Sequence, residues 1–275
     1  MLDNQGALRR SFFLPETAMS LSARLQAASR VAFVHFCISL LGVLGVATYV
    51  FLVWFPGELY RLTGGIGLFV VLMLVDLVCG PGLTLVLFDT KKSNLKWRID
   101  IALIVTVQLT ALGYGVVQIA KTRPVYLAFE GDRFRVVQAM DVDIARIAEA
   151  PIPLQTLSWT GPHFVGVRLS APTDPDYLSS VQESIRGFHP AFRPSRWVEY
   201  EMQTIRLRST SKPLSELQKK ASTPKDVLLR GVRATGLSED RLGYLPLVGD
   251  LNTDWIVLLD LQTAQPVGWL PIDGW

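Results

Sequence analysis

The chain has 275 residues, 49% hydrophobic and 19% charged, and a mean hydropathy of +0.31, too apolar for an ordinary soluble protein. Its net charge of +3 does not point to nucleic acid: residues 121–275 carry 18 Lys and Arg against 18 Asp and Glu, so the excess, 9 basic against 6 acidic, belongs to the apolar first part. Both cysteines, Cys37 and Cys79, lie in apolar runs, which excludes a disulfide framework in the polar remainder.

Residues Met1 to Arg30 form a polar head, expected in the cytoplasm, with Arg9, Arg10, Arg24 and Arg30. Leu21, Leu25 and Ala28 suggest that the first helix starts early and lies partly in the membrane interface. The run from Val31 to Trp54 is too long for a signal-peptide core, and no small-residue cleavage site follows, so an uncleaved span is expected. Ser39, Gly42 and Gly45 put small residues on one face, as close helix packing in lipid requires, and Tyr49, Trp54, Phe55 and Tyr60 read as an aromatic belt. A second span covers about 65–88 and a third about 99–120, so the transmembrane region is 31–120. Four basic residues in the head and four (Lys91, Lys92, Lys96, Arg98) between spans two and three, against Arg61 alone in the first connection, put the head inside and residues 121–275 outside. Lys121 and Arg123 stand on the wrong side for that rule.

The second span carries Asp76, and an aspartate at the bilayer centre costs about 2.5 to 3.5 kcal/mol unless it faces other helices. At 1.5 Å per residue it lies roughly 18 Å from the cytoplasmic end of its helix, Gln108 about 13 Å from that end of helix three, and His35 about 6 Å from that end of helix one. Gln108 is therefore its better partner, and His35 is nearer the level of Thr84. Pro81, flanked by Gly80 and Gly82, frees the Leu77 carbonyl one turn from Asp76 and is expected to kink the helix. Two roles are open to Asp76: a polar contact point or titrating group for a partner's membrane helix, or a carboxyl bonded to Gln108 or a threonine that only holds three helices together. For His35 a bond to Thr84 or interfacial water is the plainer use.

Residues 121–275 read as an α+β domain with a mainly antiparallel sheet. Arg123 to Phe129, a Gly131-Asp132 turn and Phe134 to Met140 form a hairpin continuing from helix three. A short helix is expected at Asp143 to Glu149, with strands at Gln155 to Trp159, Phe164 to Leu169 and Trp197 to Leu207. Helices are expected at Tyr177 to Phe188, Leu214 to Lys220 and Pro224 to Thr235, and a closing hairpin at Asp254 to Leu261 and Pro266 to Leu270.

Motifs for chemistry are missing. His163 and His189 stand without a cysteine or histidine partner at metal-binding spacing, no G-x-S-x-G or lysine-ended P-loop occurs, and Asp174 and Asp176 flank a proline as turn residues do. No catalytic residue, metal or cofactor is expected, and no nucleic-acid partner. An envelope transferase would want a nucleophile and base that are not recognisable here; a periplasmic sensor would want a larger cytoplasmic output region.

Phe55-Pro56-Gly57, Asp76 with Gly80-Pro81 and Leu83-Thr84-Leu85, then Lys96, Asp100, Gln108, Gly115, Arg123-Pro124-Val125-Tyr126 and Asp132-Arg133-Phe134 together resemble the type IV pilin accessory protein family (TfpX/TfpZ type). The likeness is densest over about residues 50–140 and returns faintly in Tyr244-Leu245-Pro246-Leu247; the long head departs from it. The resemblance implies a non-catalytic, chaperone-like bacterial inner-membrane protein that acts on its cognate type IV major pilin, modulating pilin stability and the amount of surface pilus, with other pilus assembly components nearby. A pilin awaiting assembly has one apolar membrane helix and a periplasmic head. The partner-binding residues expected on this basis are Asp76, Gly80, Pro81, Gln108, His35, Thr84, Arg123 and Tyr126, with the lipid bilayer around them.

Overall fold

The computed structural model describes residues 21–88 and 92–275. Most of the polar head and Lys91 thus lie outside the described residues. Helix α1 runs Leu21–Tyr49 and passes into a π-helical turn, Val50–Trp54; α2 is Ile66–Leu87 and α3 is Asn94–Thr122. Each is long and apolar enough to cross a membrane. α1 and α3 start ten and five residues before the apolar runs do, because polar residues that remain in water extend a helix as readily as apolar ones. α2 continues through Pro81.

By compactness the chain falls into two units. One takes the described residues up to Val43 with Leu72–Leu112; the other takes Leu44–Val71 with Gly113–Trp275. The second unit is built on strand β1 (Pro124–Phe129), which follows α3 after Arg123 and pairs antiparallel with β2 (Phe134–Gln138). β3 (His163–Val167) pairs parallel to β1. After α4 (Tyr177–Ile185) come the two-residue β4 (Trp197–Val198), α5 (Thr204–Thr210), β5 (Lys212–Pro213), α6 (Leu214–Lys219) and α7 (Lys225–Thr235). β6 (Leu242–Val248), β7 (Trp255–Asp260) and β8 (Gln265–Leu270) close the chain as an antiparallel meander. Among the described residues the sheet is eight-stranded and mixed, ordered β4-β3-β1-β2-β6-β7-β8 with β5 on β6. Its parallel pairs are β1 with β3 and β2 with β6; the others are antiparallel.

Both faces of this sheet are covered, so β1, β6 and β7 are buried along their whole lengths. Alternate residues serve opposite faces: Trp255, Val257 and Leu259 join one cluster, Ile256 and Leu258 another packed under α6 and α7. The first cluster also contains Leu59 and Leu62 from the connection between α1 and α2, both with no exposed surface. That connection is thus part of the domain core, each leucine contributing about 2 kcal/mol by burial.

One expected strand is absent and another is cut short. Gln155 to Trp159 is irregular, held between Pro153 and Gly161-Pro162. Within Trp197 to Leu207 the strand stops at Val198, and from Tyr200 onwards the chain is helical, burying Tyr200 and Leu207 and exposing Met202 and Ile205. β6 was hidden by Gly243 and Pro246, residues that argue against a central strand. It survives because β5 bonds it at Gly243 and Tyr244 and β2 at Leu247 and Val248, so Pro246 falls in the gap between them.

Candidate functional site

The first unit holds an apolar groove of about 400 Å³ between α1 and α3, with α2 supplying polar atoms. Its walls are side chains such as Val34, Ile38, Val105 and Leu109; His35, Ser39, Asp76, Thr84 and Gln108 bring polarity to it. Spacing explains the face: 31, 34, 35, 38, 39, 42 and 101, 105, 108, 109, 112 follow the helical repeat.

The polar residues form one network. His35 Nδ1 lies 2.6 Å from Thr84 Oγ1 and Nε2 lies 2.7 Å from Gln108 Oε1. Gln108 Nε2 donates to the Asp76 carbonyl oxygen at 3.1 Å and to Ser39 Oγ at 3.3 Å. With its amide nitrogen committed to those acceptors, Gln108 accepts from His35 Nε2–H. In that tautomer Nδ1 accepts from the Thr84 hydroxyl, whose oxygen also lies 3.0 Å from the Gly80 carbonyl oxygen. Three helices are thereby tied by side chains at one level, each bond worth about 0.6 kcal/mol in lipid.

The expected site residues fall into two groups. His35, Thr84, Gln108, Asp76 and Gly80 come together, and Gly80 is tight: a Cβ there would overlap the Gln108 amide. Pro81 is buried beside them on α2. Gln108 does reach Asp76, but at its backbone carbonyl; the carboxylate has no hydrogen-bond partner among the described residues, though Asp76 is only 7% exposed and lines the groove. The other two residues are in the second unit. Arg123 donates to the carbonyls of Ala120 (2.6 Å) and Ser158 (3.1 Å), its guanidinium 3.8 Å from the Trp159 ring centre. Tyr126 is occupied within its own domain core, its hydroxyl on the Leu154 carbonyl and its ring against Trp197; burial pushes its pKa up to about 12. It is not available for direct contact.

Two expectations about helix one change. Among the described residues a Cβ placed on Gly42 or Gly45 would meet no atom within 4 Å, so these glycines are not packed against a neighbouring helix there, and Gly42 lines the groove. Of the expected aromatic belt, Trp54 and Phe55 turn inward, 4% and 0% exposed, while Tyr49 stays exposed. Trp159 was missed: its carbonyl accepts from Trp54 Nε1–H at 3.0 Å and from the Tyr49 hydroxyl at 3.4 Å, and its ring remains half exposed. A tryptophan beside a Gly-Pro turn was the available signal. Among the described residues no group of three His, Cys, Asp or Glu side chains could hold a metal ion.

Comparison with known proteins gives a consistent result. A model of the family "Fimbrial assembly protein FimB" matches residues 23–64, which include His35, Ser39 and Gly42. The fimbrial assembly proteins of serogroups E1 and I of Dichelobacter nodosus are each 30% identical to the chain over 235 residues, 85% of this chain and 91% of theirs. That of serogroups C1 and C2 is 32% identical over 123 residues, 45% of this chain and 94% of its own. No solved structure matches.

Proposed function

The chain belongs to the family of fimbrial assembly proteins, and from that premise we propose that it is a chaperone-like inner-membrane factor that binds its cognate type IV major pilin and modulates pilin stability, pilus assembly and surface piliation. The observation that carries this reading is the open groove on α1 and α3. In lipid, helices associate by close packing and interhelical hydrogen bonds, because burial of apolar surface adds nothing there. Gly42 and Ser39 let another backbone approach, and the Asp76 carboxylate, without a bond among the described residues, is an acceptor for a donor at mid-membrane depth. The pilin's single apolar helix is the occupant in this reading, while its periplasmic head meets the sheet domain. The head of the chain is then cytoplasmic and residues 121–275 periplasmic, and the protein acts by holding its client, without catalysis; other pilus components join later.

A photo-crosslinking residue placed at Ile38 or Val105 in the groove is expected to give a pilin adduct, and one at Leu103, exposed on α3 but outside the groove, is not. Deleting the gene should lower total or surface pilin. Adducts equal at all three positions, or pilin amounts untouched by the deletion, would sink the reading.

A further inference from the structure

Lys121 and Arg123 are two cations at the end of a span where the charge rule disfavours them, and they lie outside the groove assigned above to the pilin helix. Both line a notch of about 260 Å³ in the second unit, walled by Val117 and Ala120 from the last turns of α3, by Ala139 and Met140 after β2, and by Trp159. The notch is held open on three sides. Ala139 N–H donates to the Arg123 carbonyl at 3.0 Å and Met140 N–H to the Lys121 carbonyl at 2.9 Å, which fastens the end of β2 to the end of α3. Trp159 is pinned by Trp54 and Tyr49.

The charge in this notch is not balanced from within. Arg123 is 6% exposed, and among the described residues its hydrogen bonds go only to the carbonyls of Ser158 and Ala120, leaving Nη2 without an acceptor. Burial pulls its pKa down, the sense expected of a cation short of a counter-ion. Lys121 Nζ reaches the neutral Gln118 at 3.4 Å, and neither residue forms an ion pair among the described residues. The carbonyl end of α3 supplies about half an elementary charge, short of two cations. Val117, 54% exposed on a membrane-spanning helix, opens the notch towards lipid, and Met140 (62%) and Trp159 (55%) add exposed apolar surface at its rim.

We propose that this notch binds one phospholipid, its phosphate between Lys121 Nζ and the Arg123 guanidinium and the first methylenes of its chain along Val117, Met140 and Trp159. A phosphate diester supplies the missing anion, a planar guanidinium suits two of its oxygens, and the attached chain meets the apolar walls. The two cations then anchor the domain to the outer leaflet instead of contradicting its topology.

The test uses the full-length chain in detergent, stripped of lipid and mixed with phosphatidylglycerol, with dioleoylglycerol, or with inorganic phosphate, bound ligand being read by native mass spectrometry. Phosphatidylglycerol should be retained and the other two should not. Lys121→Gln with Arg123→Gln should lower retention about tenfold, while Lys96→Gln at the other end of α3 should leave it unchanged. Val117→Trp, which fills the notch from an exposed position, should give the same loss even if the double variant fails to fold. Dioleoylglycerol held as well as phosphatidylglycerol, inorganic phosphate bound on its own, or undiminished retention by Val117→Trp would each overturn the proposal.

Discussion

The indole N–H of Trp269, on the last strand, donates a 2.8 Å hydrogen bond to the carbonyl of Gly57, in the connection between the first two spans. Gly57 has φ +59, and a Cβ there would strike the Trp269 ring. Conformation and space therefore both demand glycine. Gly57→Ala should destabilise the second unit by about 2 to 3 kcal/mol, roughly half from the left-handed backbone and half from the displaced indole. Trp269→Phe, which keeps most of the ring but loses the bond, should cost about 1 kcal/mol. Thermal unfolding in detergent separates them; a Gly57→Ala midpoint equal to wild type would refute the contact.

Gln108 touches His35, Ser39 and the Asp76 carbonyl, so its removal unties three helices at once. Gln108→Leu should cost about 1 to 2 kcal/mol, and Ser39→Ala, which loses one 3.3 Å bond, about 0.5. Unfolding monitored in mild detergent gives the order. Should Ser39→Ala prove as damaging as Gln108→Leu, the amide would not be the hub.

The three spans were legible because an apolar run of membrane length has few other uses, and the pairing of Asp76 with Gln108 and of His35 with Thr84 followed from depth alone. Depth does not distinguish a carboxylate from a carbonyl on the same residue, which is why the atom at Asp76 was misread. The burial of Leu59 and Leu62 was not legible either. A short connection carries no mark of the strands that will cover it, and those strands come much later in the chain. The same limit applies to Trp197 to Leu207, where alternation over a few residues does not separate a strand from a helix that buries only Tyr200 and Leu207.

Asp141 follows β2 and accepts from Gln138 N–H at 2.8 Å, yet burial, helped by the nearby Asp250 carboxylate, pushes its pKa up to about 6. The folded state therefore keeps a proton that the unfolded chain has already released at about pH 4. Its effect on stability is most favourable below that pH, declines as pH rises to about 6, and is constant above. Allowing for partial exposure, the loss is about 1 to 2 kcal/mol. Asp141→Asn keeps an oxygen for the Gln138 N–H and cannot ionise, so it should unfold at higher temperature than wild type at about pH 7 and show a flatter profile between about pH 4 and 6. Melting curves across that range that coincide for the two proteins would contradict the assignment.

Two glycines of the first unit, Gly42 and Gly80, should respond in opposite ways. Gly42 lines the groove with nothing within 4 Å of a Cβ, whereas a Cβ on Gly80 overlaps the Gln108 amide. Gly42→Leu replaces the poorest ordinary helix former with one of the best, so it should fold as well as wild type or better by up to about 1 kcal/mol. Its side chain would fill the groove proposed to receive the pilin helix, and on that proposal surface pilin should fall to the level of the deletion. Gly80→Leu should lower stability by forcing Gln108 out of the network, with expression falling in parallel. The comparison needs only protein level, unfolding midpoint and surface pilin for each variant. A Gly42→Leu protein that is stable and supports full piliation would mean that the groove is filled by lipid alone.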